Sequence, residues 1–404
     1  MIEPTSPLPA IAALCIALAT ACVLSKLFGI RPASGRFATI DGLRGLLALA
    51  VFLCHACIWY FYTRTGRWEL PPSNLYTHFG QSGVALFFMI SGFLFFSKLI
   101  DGRKRAIDWG ALFVSRVLRL TPLYLFTVLL LVVVILYLPG GVREPIGTLS
   151  RGVMRWVGFT VMGAPDLNGV ENTWRIVAGV TWSLPYEWFF YLSLPLLALS
   201  VRVVPPAPYV LLGIATLIAL IAWGPQLQHL ASFLGGIVAA CMVRWTAFRQ
   251  FAVTTASSVL CLFSLALAVG LFPTAYDPGA LALISIAFVL VACGSSLFGL
   301  LTSSASRLLG ELAYGIYLLH GMLLFVVFVV LADLTQPLAR SPMTHWLLIV
   351  AMTPLLLLVC YAVFRAIELP AMRRTPAVSA WLRARVGRAA IAAPVETIAP
   401  RVDA

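Results

Sequence analysis

Long apolar runs, separated by short polar segments, dominate this chain from end to end. Eleven such stretches fall at about 9–30, 42–62, 80–99, 116–138, 186–200, 208–223, 228–243, 251–272, 280–300, 309–332 and 345–368. Most are continuous over 18 or more residues and do not alternate in ten-residue segments, which predicts membrane-spanning helices and excludes a barrel. The fifth, sixth and seventh are short, so their ends are expected to reach into the interface or their helices to tilt little. The first reads as a retained span and not a cleaved signal, because Lys26 and Arg31 follow the apolar run and no small-residue cleavage pattern is clean.

Composition narrows the class further. A length of 404 residues would fit two or three soluble domains. Hydrophobic residues make up 61% and charged residues 11%, with mean hydropathy +0.97, which leaves too little polar surface for a water-soluble globule. The expectation is an all-α polytopic membrane protein in a lipid bilayer. A disordered chain, a collagen and a disulfide-stapled domain are excluded. The eight cysteines lie in or beside apolar runs and read as small buried hydrophobes.

The formal net charge of +13 changes the picture only through its placement. The bases cluster between apolar runs, so the excess points to membrane orientation and not to nucleic acid. With the N-terminus outside and the spans alternating, only Arg64, Arg67, Arg143, Arg151, Arg155, Arg175 and Arg340 of the 28 bases face outward. The tail is then cytoplasmic. Two outside segments are long, 63–79 and 139–185, and loops of the second length tend to form lids or line sites. Within it, 149–162 is expected to form an interfacial helix with Trp156 at headgroup depth. Residues 371–404 read as a loose membrane-facing helix with a disordered end.

Ionisable groups at apolar depth are the candidates for chemistry. Arg44 and His55 are separated by about 16 Å of helical rise and lie within about 20° of the same face. Histidine suits proton transfer near neutral pH, although a core histidine with an anchoring arginine fits the same spacing. The neighbouring Cys54-His55-x-Cys57 points successive residues to different faces and implies no metal. Arg116 and Arg119, one turn apart with Pro122 following, suit either a clamp for a phosphate-bearing ligand or ordinary charge anchoring. Gln81, Ser82 and Ser91, within a glycine-punctuated segment from Gly80 to Phe93, are site-lining candidates on a packing surface.

Trp182-Ser183-Leu184-Pro185-Tyr186-Glu187 reads as a helix start with a carboxylate in its first turn. Glu187 suits either an acceptor hydroxyl or an arginine from the long loop. Finally, Tyr314, Tyr317 and His320 set polar tips along one side of a central helix, with Glu311 able to pair with Arg307. His78, His229 and His345 read as loop or interfacial residues.

Taken in order, these blocks resemble the integral-membrane acyltransferase-3 family, the O-acyltransferases of bacterial surface and secreted glycans and of some small molecules. Asp41-Gly42-Leu43-Arg44-Gly45 running to His55 matches the family's opening block. Gly80 to Phe93 matches Gly-x-x-Gly-Val-x-x-Phe-Phe-x-x-Ser-Gly-Phe. Arg116, Arg119 and Pro122 match Arg-x-x-Arg-x-x-Pro. Trp182, Ser183, Leu184, Glu187, Phe190 and Tyr191 match a further block, and Tyr314, Tyr317, Leu318 and His320 the last. The resemblance implies a ten-helix core over 37–370, with 1–36 as one additional N-terminal transmembrane helix and linker, and 371–404 as a tail. The resemblance is to a standalone membrane domain, without the SGNH hydrolase-like domain expected only in some members, and Trp188 stands where a second acidic residue is common.

The resemblance further implies a bacterial cytoplasmic (inner) membrane location, a cytoplasmic acyl-CoA co-substrate, by default acetyl-CoA, no permanently bound cofactor, and a glycan or small-molecule acceptor. Arg44, Arg116 and Arg119 are then expected to hold the coenzyme A phosphates, and His55 to act as general base. Glu187 and His320 would orient the acceptor or stabilise charge, with Asp41, Gln81, Ser91, Trp182, Ser183, Tyr314 and Tyr317 lining the substrate. Transfer to a separate extracytoplasmic acyl-accepting partner stays open beside direct O-acylation. A secondary transporter would also bury His and Glu, but it usually carries repeats that this sequence does not show. An assembly role in an envelope complex predicts that substitutions at these sites alter abundance and not chemistry. Neither acyl chain length nor oligomeric state is read from the sequence.

Overall fold

The computed structural model describes residues 3–28, 37–138, 140–335 and 341–392. The linker with Arg31 and Arg36, Arg340, and the end of the tail with Arg401 lie outside the described residues. Helices α1 (Pro7–Leu27), α2 (Ala38–Thr65), α3 (Asn74–Asp101) and α4 (Trp109–Tyr137) come first. The short α5 (Ile146–Val157) follows, then α6 (Ser183–Ser200), α7 (Ala207–Trp223), α8 (Leu227–Met242), α9 (Thr246–Ala252), α10 (Thr255–Leu271) and α11 (Pro278–Cys293). After these come α12 (Ser304–Phe325), α13 (Ala332–Thr335), α14 (Pro342–Val363), α15 (Leu369–Arg373) and α16 (Thr375–Ala392). The all-α expectation holds.

The expected number of spans does not. Six helices among the described residues are long and apolar enough to cross a membrane: Pro7–Leu27, Ala38–Thr65, Asn74–Asp101, Trp109–Tyr137, Ser304–Val330 and Pro342–Arg385. A seventh is reached only by counting α8 and α9 as one, across a 109° bend. This corrects the ten-helix core plus one. Helices α7, α10 and α11 have 17, 17 and 16 residues. At 1.5 Å per residue they rise only about 24–26 Å, short of a hydrocarbon layer about 30 Å thick. Apolar content continued past the helix ends. The 251–272 stretch straddles the break between α9 and α10, and the 280–300 stretch runs past Gly294, whose φ of 129° ends α11.

Two helices form the spine that carries the site. Gly310 of α12 lies against Asp41 of α2, where an added Cβ would overlap the Asp41 carbonyl oxygen. Fourteen residues further along α2, His55 meets His320. The two helices therefore run parallel, in backbone contact at the lower end and in side-chain contact at mid-span. Helix α3 returns antiparallel beside α2, with Cys54 against Gly80 and Val51 against Gly83. The ends of α2, α3, α4 and α12 that carry Arg44, Lys98, Arg116, Arg119 and Arg307 thus share one side, called here the basic end.

At the opposite end, the 139–185 connector is folded. Its helix spans 146–157 and not 149–162. Trp156 is not an interfacial anchor: it is 1% exposed, and its indole N–H donates to the Pro165 carbonyl at 2.9 Å. The Tyr124 hydroxyl donates to the Trp156 carbonyl at 2.5 Å, so the segment is pinned by buried hydrogen bonds, not by headgroups. Nor is His78 a loop residue. It is buried on the first turns of α3 and bridges Ser82 Oγ at 3.0 Å and the Phe272 carbonyl at 2.9 Å. His345 is buried on α14, its Nε2 at 3.0 Å from the Ala56 carbonyl. Three of the eight cysteines, Cys15, Cys22 and Cys241, are exposed.

Candidate active site

The residues singled out in the sequence separate into two groups joined by α2. The upper group centres on two imidazoles. His320, wholly buried, has its Nδ1 at 2.8 Å from the Ile316 carbonyl and its Nε2 at 3.1 Å from His55 Nδ1. His55 Nδ1 also lies 3.0 Å from the Val51 carbonyl. A carbonyl oxygen only accepts, so neutral rings satisfy these contacts when each Nδ1 bears the proton. His320 Nε2 is then an acceptor for His55 Nδ1–H, and the lone pair of the His55 ring rests on Nε2. In this tautomer Nε2 is the nitrogen able to take up a proton.

Several elements converge on this pair. Gly321 follows His320 at a point where a Cβ would overlap the Val177 and Ala178 backbone, so the folded connector approaches α12 directly and Ala178 flanks His55. Trp68 stacks on the His55 ring at 6.4 Å and meets Trp174 edge-on at 5.9 Å. The cavity that holds His55, about 230 Å³, is lined by Gln81, Val180, Trp182, Tyr276 and Tyr317 among others. Tyr317 donates to the Val180 carbonyl at 2.9 Å and accepts from Ser183 Oγ at 2.8 Å, so both side chains brace the turn before α6. Gln81 Oε1 accepts from Thr274 Oγ1 at 2.6 Å and from the Ala275 N–H at 3.0 Å.

Trp182 also forms a wall of a second, wider cavity of about 560 Å³. Trp174, Tyr186, Trp223, Gln226 and His229 line it, with no Asp, Glu, Lys or Arg. His229 packs between Trp182 at 4.6 Å and Tyr276 at 4.6 Å, and its Nδ1 is buried without a partner. This aromatic vestibule was missed by sequence reading: its members come from three separate segments, and His229 alone looked interfacial.

At the basic end, Arg44 lies within electrostatic reach of Asp41, Arg116, Arg119 and Tyr191. Arg116 sits 5.1 Å over the Phe95 ring, near Glu187 and Tyr191. None of Arg44, Arg116 and Arg119 forms an ion pair among the described residues. Glu187 is held by Ser91, whose hydroxyl lies 2.9 and 3.0 Å from its two oxygens. The carboxylate therefore sits with the arginines of α2 and α4, away from the imidazoles, and no arginine of the long loop reaches it. Tyr314 donates to the Leu120 carbonyl at 2.9 Å, tying α12 to α4 beside Pro122. The cavity of His55 includes none of the three arginines.

Glu368 was also missed. It is 1% exposed, its two oxygens have no hydrogen-bond partner, and Arg119 and Arg44 are its nearby charges. It ends a π-helical turn, Phe364–Glu368, within the last long helix. Such turns often mark functional positions, but nothing in the local sequence Arg365-Ala366-Ile367-Glu368 distinguishes one from a plain helix end.

Comparison with known proteins places the chain in a family. The chain is similar to the acyltransferase MdmB of Streptomyces mycarofaciens, with 28% identity over 329 residues that cover 72% of this chain and 79% of that protein. No solved structure matches. A family profile described as an acyltransferase domain matches residues 37–365, from the start of α2 through α14, so that every element holding the imidazole pair and the arginine cluster lies inside it. The chain thus belongs to the acyltransferase-3 family of membrane acyltransferases.

Proposed function

We propose that this acyltransferase moves an acyl group, acetyl by preference, from acyl-CoA at the basic end to a hydroxyl of a glycan or small molecule entering at the opposite end. The observation that carries the reading is the His55–His320 contact, 3.1 Å between nitrogens, on the wall of a cavity. In this reading His55 Nε2 removes the acceptor's proton, and His320 positions His55 and shares the charge of the imidazolium. Arg44, Arg116 and Arg119 hold the coenzyme A phosphates. About 16 Å of helix separates the two groups, a gap the flexible arm of the thioester has to bridge. Glu187, held by Ser91 and Tyr191, orients Arg116 and not the acceptor. Asp41 stands beside Arg44 as a counter-charge.

The uneven distribution of bases supports an orientation with the basic end and the tail in the cytoplasm of a bacterial cell and the vestibule outside. The vestibule takes the acceptor, or a separate acyl-accepting partner. Purified protein in nanodiscs tests the assignment. Single alanine substitutions at Arg44, Arg116 or Arg119 are expected to weaken acetyl-CoA binding about tenfold or more by calorimetry. His55→Ala is expected to bind normally and to lose transfer. Transfer at the native rate by His55→Ala defeats the base role. Mass spectrometry of envelope glycans and extracted metabolites with and without the gene identifies the acceptor as the molecule that loses an ester of defined mass.

A further inference from the structure

Two of the residues lining the cavity around His55 carry a hydrogen-bond donor with no partner among the described residues. Tyr276 lies in the 272–277 connector between α10 and α11 and lines that cavity with His55, Gln81 and Tyr317. Its hydroxyl is buried and makes no hydrogen bond, an arrangement that costs stability and is rare in folded proteins. The ring is fixed edge-on against His229, 4.6 Å between centroids. Burial pushes the phenol pKa up, so the group stays a neutral donor.

Gln81 fixes the same connector. The Ala275 N–H can only donate, so the carboxamide oxygen must face Thr274 and Ala275. Its NH2 group is left with no hydrogen bond to the described residues, on the wall of the cavity. Two residues from different elements, each with an unused donor, thus line the cavity that holds His55.

We propose that Tyr276 is a catalytic residue whose O–H, with the Gln81 NH2, forms the oxyanion site of the transfer reaction. This rests on the reading of His55 as base and a thioester as donor. As the acceptor oxygen bonds to the thioester carbon, its proton passes to His55 Nε2. The carbonyl π pair moves onto oxygen, where Tyr276 and Gln81 receive the charge. Collapse re-forms the carbonyl, breaks the carbon–sulfur bond and releases the coenzyme A thiolate, which takes the proton from His55.

A ketone analogue of acetyl-CoA, with methylene in place of the thioester sulfur and 13C at the carbonyl, reads the contact without an acceptor. Bound to wild-type protein in nanodiscs, its carbonyl stretch is expected to shift to lower frequency in isotope-edited infrared difference spectra. Tyr276→Phe removes one oxygen and keeps the ring. It is expected to lose most of that shift while binding within about threefold of wild type, and to lower coenzyme A release from acetyl-CoA, with water as acceptor, about a hundredfold in kcat at unchanged KM. His55→Ala is expected to keep both binding and shift, so loss of the base and loss of the oxyanion site are told apart. An unaltered shift in Tyr276→Phe, or a shift lost only in step with binding, overturns the proposal. A wild-type protein that does not bind the analogue overturns the donor reading, and this proposal with it.

Discussion

His55 and His320 are each visible in the sequence as a mid-span histidine, but their contact is not. It depends on the axial register of α2 against α12, set by the Gly310–Asp41 approach more than twenty ångströms of chain away. The functional consequence can be measured. His55→Ala is expected to lower kcat by 10² or more, the scale of general-base catalysis. His320→Ala removes only the group that holds the tautomer, so a smaller loss is expected at unchanged KM for acetyl-CoA. Equal losses in the two variants would mean that His320 itself handles the transferred proton. Arg44, Arg116 and Arg119 are legible as bases at apolar depth, whereas the partners of Glu187 are not. Its position on a helix start said nothing of the Ser91 hydroxyl that draws it toward the arginines.

At the scale of elements, hydropathy located nearly every helix but not where each one stops. The bend between α8 and α9 falls at Arg244, between two apolar stretches, whereas the break before α10 lies inside the 251–272 stretch and only backbone geometry marks it. The α2–α12 pairing rests on small residues that admit direct backbone contact. Gly310→Val would force the helices apart, and overpacking of this kind typically costs about 1–3 kcal/mol. A lowered thermal midpoint in detergent, together with loss of transfer, is the expected outcome; an unchanged midpoint would show that the helices can slide without penalty. By contrast, the Arg383–Asp108 pair at 2.7 Å joins α16 to the start of α4 on an exposed surface. Exposed pairs contribute about 0–1 kcal/mol, so Arg383→Ala is expected to leave the midpoint nearly unchanged.

Across the whole molecule, the sequence pattern points correctly to an all-α membrane protein and to the family. It overcounted the spans because composition alone does not show where an apolar helix ends, and so does not distinguish a short helix from a crossing one. The proposed orientation, drawn from the skew in basic residues, is checked by a reporter fusion at the tail: activity of a cytoplasm-dependent fluorescent protein is expected, and activity of a periplasm-dependent phosphatase is not.

The lining of the vestibule, rings, small residues, an amide and hydroxyls with no Asp, Glu, Lys or Arg among the described residues, gives the two ends different physics. Capture of a polyanionic donor by three guanidiniums is an ionic event and weakens as counterions crowd in. Recognition between uncharged rings is indifferent to them. In the proposed reaction, raising potassium chloride is therefore expected to lower the affinity for the thioester donor and to leave that for the acceptor where it was.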